Sequence, residues 1–430
     1  MMENLQLTAQ RPLAGVRVLE LSQIMAGPIC GLMLADLGAE VIKIEKIKGG
    51  DDARAFNNSG KPNEMPASFQ MINRGKKSVA IDIRTEKGRE LLLKLVEDAD
   101  ILTENFRPGT LQRLGLGPEV LRKANPQLIC LSVSGYGPKG PMSDHGGFDL
   151  VLQAFAGLIS VTGEADGPPV KPGVPIADIN AGVMAALGAL AAYVHRLRTG
   201  KGQWVQTSLL QVSIQQLYWY AALFFSAGKL PERLGTAHPI IAPYQTYRCS
   251  DGDLAVGGGN DTNWKRICKV VGKPEWEADD RFATPKSRLE NRGALERVLN
   301  GALAERTRAE WEEAFIAAGV PAGPVQTVDE ALNHAQTRAV DMVIDVADSN
   351  GGKAKAIGLP LHFDGENEPA RTAAPFLGEH TKELLGSIGI GSDDYAALCA
   401  EGVCLGYDGN LAVADQARDE CAAGLTAQTA

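Results

Sequence analysis

The sequence lacks the spacings that mark a metal centre, a redox cofactor or a serine nucleophile. Its seven cysteines, at 30, 130, 249, 268, 399, 404 and 421, are odd in number and include no CxxC pair. That excludes a zinc ribbon and points to reduced thiols in a cytoplasmic compartment. Six histidines show no HxxxH spacing, and there is no GxSxG, so neither a zinc site nor a serine-hydrolase elbow is expected. The segment after the first expected strand is SQIMAGP, without the GxGxxG of a dinucleotide site. No metal or redox cofactor is therefore expected. Positive charge is in deficit: 43 Lys and Arg against 52 Asp and Glu leave a net −9, which argues against a nucleic-acid partner. The longest apolar run, Ala181–Val194, is too short to span a bilayer as a helix and reads as a buried core helix, so no membrane partner is expected. The start, MMENLQLTAQRPLAG, has no charged stretch leading into an apolar run, so neither a signal nor a transit peptide is expected.

What is present has a β-α-β rhythm. Candidate strands are Val16–Leu21, Glu40–Ile44, Ser78–Ile83, Asp100–Thr103 and Leu128–Val133, with helices at Pro28–Leu37, Glu86–Ala99 and Glu119–Ala124 between them. This predicts an α/β fold: an open, Rossmann-like parallel sheet with ligands at the carboxyl ends of its strands. A hairpin, Tyr244–Cys249 then Leu254–Val256 around Ser-Asp-Gly-Asp, opens a smaller α+β domain. The division expected is 1–225 for the large domain, 226–328 for the small one, 329–404 for a return to the large domain and 405–430 for a flexible tail.

Three features bear on chemistry. Asp178 lies where a proline-bearing loop enters a long apolar helix. The helix end favours its anion, and it serves either as a plain N-cap or as a carboxylate nucleophile. Gly257-Gly258-Gly259 follows the hairpin and forms either a mobile lid or a simple turn. Lys43, Lys46, Lys48, Arg54, Arg74, Lys76, Lys77 and Arg113 lie near strand ends or in loops and suit phosphates, or are solvated surface charges. Asn105-Phe106-Arg107-Pro108-Gly109 adds an aromatic that can stack on a base.

Taken in order, these stretches resemble the class III CoA-transferases, the CaiB/BaiF group that includes formyl-CoA transferase, carnitine CoA-transferase and acyl-CoA racemases. The matching segments include PLAGVRVLELSQIMAGPICGLMLADLGAEVIKIE, NRGKKSVAIDIRTEKGRELLLKLVEDADILTENFRPG, SVSGYGPKGP, PIADINAGVMAALGALAAYVHRLRTGKGQWV, AGVPAGPV and LGEHTKELL. The resemblance implies that Asp178 attacks an acyl-CoA thioester, forming an aspartyl anhydride and then an aspartyl-CoA thioester. It implies that Gly257, Gly258, Gly259, Tyr136 and Met25 support the site, that Lys46, Lys76, Asn105, Phe106 and Arg113 contact CoA, and that the substrates are acyl-CoA and a carboxylic acid. It also implies a homodimer of two interlocked rings.

Two departures narrow the reading. Racemases of the family carry a histidine before an aspartate where this chain has Gly146-Gly147-Phe148-Asp149, and phenylalanine cannot carry a proton. Met25 replaces a glutamine of the formyl-CoA transferases, which turns expectation from formate or oxalate toward a larger acid, with succinyl-CoA as a candidate donor. An α-proton epimerase and a non-catalytic acyl-CoA-binding protein remain the alternatives.

Overall fold

The computed structural model describes residues 11–56, 64–365, 367–407 and 409. Its main sheet has seven strands in the order β12-β3-β2-β1-β4-β5-β6. They are β1 (Arg17–Glu20), β2 (Glu40–Glu45), β3 (Lys76–Ile81), β4 (Ile101–Glu104), β5 (Ile129–Ser134), β6 (Trp204–Ser208) and β12 (Cys404–Leu405). β1 to β6 run parallel, and β12 closes one edge antiparallel to β3. Alternation along the strands explains the layers. Val18, Val41, Ile101 and Ile129 pack on one face with α1 (Ala26–Asp36). Leu19, Ile42, Leu102 and Cys130 pack on the other with α2 (Glu86–Glu97). With both faces covered, the strands read as near-continuous apolar runs. This is the expected open parallel α/β sheet.

The short α3 (Asp149–Phe155) precedes α4 (Ile176–Thr199), which is much longer than the apolar run expected from sequence. By length and composition α4 could cross a membrane. One face of it, Ala177, Ala181, Gly182, Ala185, Ala186, Ala189 and Ala192, is buried. A Cβ at Gly182 would stand 2.6 Å from the Ala26 carbonyl oxygen, so glycine is what lets α1 and α4 touch there. Gly200, at φ 69°, ends the helix in the left-handed conformation.

The chain divides into two compact units. The first is Met1–Ala156, Gly173–Gln216 and Gln336–Ala430; the second is Gly157–Pro172 and Leu217–Ala335. The small unit thus starts earlier than expected from sequence and also takes 157–172. The tail expectation needs a correction too: Leu405 pairs with Ala80, and the Tyr407 ring stacks on Phe376 at 4.8 Å. Residues 410–430 lie outside the described set.

The second unit holds α5 (Tyr218–Ala227) and the antiparallel sheet β7 (Tyr244–Cys249), β8 (Gly252–Gly257) and β9 (Ala322–Pro324). Its core joins Leu254 and Val256 to Trp264 on α6 (Asp261–Val270), Leu299 on α7 (Arg292–Leu303) and Phe315 on α8 (Arg308–Ala317). Elsewhere β10 (Val343–Ala347) and β11 (Lys353–Ile357) form a separate ribbon.

Candidate active site

The strand order reverses direction beside β1, whose neighbours are β2 and β4. Ligands of open parallel sheets bind at such a switch point, outside the carboxyl ends of the strands. The two loops leaving it here are tied together: Gln23 N–H donates to Asn105 Oδ1 at 2.9 Å, and Asn105 Nδ2 donates to the Gln23 carbonyl at 2.8 Å. The next residue, Ile24, has φ 66°. For a β-branched residue that is an outlier, costing about 1–2 kcal/mol. Its N–H donates to Asp51 Oδ1 at 3.0 Å.

Asp51 belongs to a buried charge cluster. Its Oδ1 also accepts from Ala53 N–H at 2.9 Å, and its Oδ2 lies 2.8 Å from Lys43 Nζ. Lys43 donates to Glu20 and to the Ser22 carbonyl, both at 2.9 Å. Lys76 donates to Glu20, Asn73 and the Pro28 carbonyl. Glu45 receives the Asp51 N–H, the Ser78 hydroxyl and the Arg54 guanidinium. Three acids and three bases thus neutralise one another within the fold. Burial pushes Lys43 down, but Glu20, Asp51 and Glu45 outweigh it and hold the amine above its usual value. Burial raises Glu45, yet the Arg54 guanidinium takes it down to about 2. Burial wins at Lys76, lowered to about 8 despite Glu20.

The expectation that Lys76 meets a phosphate of CoA is therefore corrected. Its ammonium is buried, and its donors are engaged by Glu20, Asn73 and Pro28. Lys43 and Arg54 belong to the same cluster, and Arg74 is buried against Asp36. None of them is a surface cation. Asn105 has its side-chain amide on the Gln23 backbone. Lys46, exposed just beyond β2, pairs with Asp52. Arg113 is exposed and donates to the Thr110 hydroxyl at 2.8 Å. Phe106 is half-buried, with its N–H on Glu104 Oε2 at 2.9 Å.

Met25 is the N-cap of α1 and provides no side-chain cap, so the amides of Ala26 and Gly27 have no such partner among the described residues. The start of α1 abuts α4 at Gly182, and Asp178 lies one turn earlier on that same face. Asp178 is the third residue of α4, and its half-buried carboxylate accepts no hydrogen bond among the described residues. Asp149 does the capping in its place, accepting the Ala177 N–H at 3.0 Å and the Gln153 amide at 2.7 Å. The expected stabilisation of the anion by the helix end is reversed: burial, then the Asp149 charge, raise Asp178 to about 6.

This sign can be tested. The folded-state value lies above the ordinary 3.8. The charged carboxylate is therefore a burden on the fold that appears as pH rises through about 6 and vanishes below about 4. Asp178→Asn should raise Tm by about 2 °C at pH 8 and leave it unchanged at pH 4. A capping aspartate would lose stability on the same substitution.

Tyr136, after β5, packs edge-on against Phe155 at 5.2 Å and His145 at 6.1 Å. In the second unit Gly257, Gly258 and Gly259 have no positive φ. Gly258 and Gly259 are closely packed: a Cβ at 258 would sit 2.1 Å from Ile267 Cδ1, and one at 259 would sit 2.0 Å from Ile241 Cγ2, whereas one at 257 would meet only ordinary contacts at 3.6 Å or more. Gly258 N–H donates to the Pro243 carbonyl at 2.9 Å, and Arg288 donates to the Gly259 carbonyl at 3.3 Å. The segment is tethered, which corrects the picture of three freely mobile residues. Sequence reasoning missed Asp51, Asn105 as a clamp, and Asp149 as the cap of a helix 28 residues away. The Gly49-Gly50 pair before Asp51 is a turn signal that could have been read; nothing local marked Ile24.

Comparison with known proteins identifies the family. The sequence pattern of "CoA-transferase family III" matches residues 13–381. An acyl-CoA transferase of Fusarium pseudograminearum is 38% identical over 405 residues, covering 92% of this chain and 89% of its own. A succinate–glutarate CoA-transferase of Agrobacterium fabrum is 35% identical over 382 residues, covering 88% and 96%. The crystal structure of a CaiB/BaiF family protein from Brucella suis superposes with a TM-score of 0.78 at 38% identity, covering 88% of this chain and 100% of the other. With its parallel α/β sheet and a family match running from residue 13 to 381, the chain belongs to CoA-transferase family III.

Proposed function

We propose that the protein moves CoA from an acyl-CoA donor to a carboxylic acid through covalent intermediates on Asp178. The observation that carries this reading is the uncapped, half-buried Asp178 carboxylate, whose capping duty Asp149 has taken over. At about 6 it is still an anion at neutral pH, and it is more basic, hence more nucleophilic, than an ordinary aspartate. One of its oxygens attacks the thioester carbonyl. The C–S bond breaks, and the CoA thiolate leaves an acyl-aspartyl anhydride. The thiolate then attacks the Asp178 carbonyl, releasing the donor acid and leaving an aspartyl-CoA thioester. The acceptor carboxylate attacks that thioester and expels the thiolate again. A last thiolate attack on the acceptor's acyl carbon frees Asp178 and the new acyl-CoA. No proton is gained or lost. The α1 amides of Ala26 and Gly27 are the donors best set to receive the oxyanion.

Lys46, Phe106 and Arg113 are the CoA contacts retained, with Asn105 shaping their crevice; Tyr136 and Met25 border the reacting acyl group. Met25 offers no amide to a small polar acid, so we assign a dicarboxylate acceptor with succinyl-CoA as donor, in keeping with the substrates in the name of the Agrobacterium relative. The epimerase reading loses support at α3: Asp149 is engaged by Ala177 and Gln153, and Phe148 before it is exposed and cannot titrate. The test is a mass-spectrometric screen of succinyl-CoA against mono- and dicarboxylic acids. New dicarboxylyl-CoA products are expected. No product from any acid, or loss of an α-deuterium from a branched acyl-CoA instead, would overturn the assignment. The rate should rise with pH as one group near 6 ionises and level off above 7, because only the carboxylate attacks.

A homodimer fits an inversion of size on α4. Its buried face is alanine and glycine, while its outer face carries exposed Val183, Leu187, Val194 and Leu197 at helical spacing. Such a stripe marks an interface. Leu187→Asp should turn a dimer into a monomer in light scattering; a wild-type chain that is already monomeric at micromolar concentration would refute the dimer.

A further inference from the structure

The buried charges beneath the crevice meet the loop after β1 and the start of α1 at the Ser22 carbonyl, the Pro28 carbonyl and the Ile24 amide, and only at Ile24 do they hold a strained residue. Glu20, Lys43, Lys76, Glu45 and Arg54 close on one another, and the carboxylate of Asp51 reaches outward to the Ile24 amide at 3.0 Å. Removing one partner from such a cluster is costly, but an intact buried cluster adds little net stability over an apolar one. Stability alone therefore does not account for it. Its product is a carboxylate that cannot turn: Lys43 holds Oδ2, Ala53 N–H shares Oδ1, and Glu45 holds the Asp51 N–H.

Ile24 is the residue in this loop least able to hold its own conformation. Left free, it would return to negative φ, as β-branched residues do. Asn105 pins the residue before it, and α1 begins two residues after it. A flip at Ile24 would therefore move Met25 and the first amides of α1, whose Ala26 carbonyl packs at Gly182 one turn from Asp178.

We propose that Asp51 is a positioning residue for acyl transfer: by holding the Ile24 amide it keeps the Gln23–Met25 turn left-handed and so sets the start of α1 against Asp178. This rests on the reading of Asp178 as nucleophile.

The tether can be broken from either end in the full-length chain. Ile24→Pro removes the N–H and cannot take a positive φ, while leaving all six charged side chains in place. Asp51→Ala removes the acceptor. Each should lower kcat by about 10²-fold, with the KM for succinyl-CoA within about threefold of wild type. Ile24→Gly restores both the amide and the left-handed φ, so it should recover most of the rate lost in Ile24→Pro. A merely structural role would instead lower Tm and leave the kcat of the folded fraction unchanged. If one broken-tether variant fails to fold, the other decides. A folded variant at wild-type kcat, or an Ile24→Gly as slow as Ile24→Pro, would overturn the assignment. Asp178→Ala is assayed alongside. If it stays active, the nucleophile itself is wrong. If it is dead while Ile24→Pro runs at full rate, only the positioning role fails.

Discussion

Asp178→Ala is expected to lose CoA transfer by at least about 10⁴-fold, the scale on which nucleophile deletions act, while the protein stays folded and still binds CoA. Among the described residues, the acid whose charge acts on Asp178 is already engaged. Asp149, the nearest competing acid named by the electrostatics, is fixed by the Ala177 amide and Gln153. A water attacking the thioester would yield hydrolysis, not transfer, so the two products separate the mechanisms. The fold should survive, because Asp178 caps nothing and its ionised form is disfavoured by burial and by Asp149. A rate within tenfold of wild type would contradict the assignment.

The second large effect is on stability. Lys43→Met is expected to cost about 3–5 kcal/mol, the loss typical of breaking a buried ion cluster from one side. Lys43 touches Glu20, the Ser22 carbonyl and Asp51 at 2.8–2.9 Å, so its removal leaves two buried acids short of a counter-charge. Lys46→Met three residues on removes an exposed pair with Asp52 and should cost no more than about 1 kcal/mol. Denaturant midpoints of the two variants, read side by side, measure the difference. Equal losses would mean that the cluster does not bear on the stability of the fold.

Much of the fold was legible from period alone. The alternation of Val18 and Leu19, or Val41 and Ile42, between two apolar clusters is a local property of strands, and the helices that cover them follow from it. Asp178 was legible as a helix-start carboxylate, but the sign of its titration was not, because it is set first by burial in the folded chain and then by Asp149, which comes from a different helix, α3. Lys43 and Lys76 read as candidate phosphate ligands because a lysine near a strand end usually meets solvent. That both turn inward depends on Glu20, a neighbour in space through β1 that no local pattern reveals. The triple glycine read as freedom, whereas Ile267 and Ile241 show close packing at Gly258 and Gly259. The left-handed Ile24 had no signature at all: isoleucine is among the last residues that composition would place there.

The most direct test of the account is to quench the enzyme during turnover with succinyl-CoA and reduce it with borohydride, which converts an aspartyl thioester to homoserine. Peptide mass spectrometry should then find the modification at Asp178, dependent on succinyl-CoA and absent from Asp178→Ala. An unmodified Asp178 peptide from enzyme that is actively turning over would contradict it.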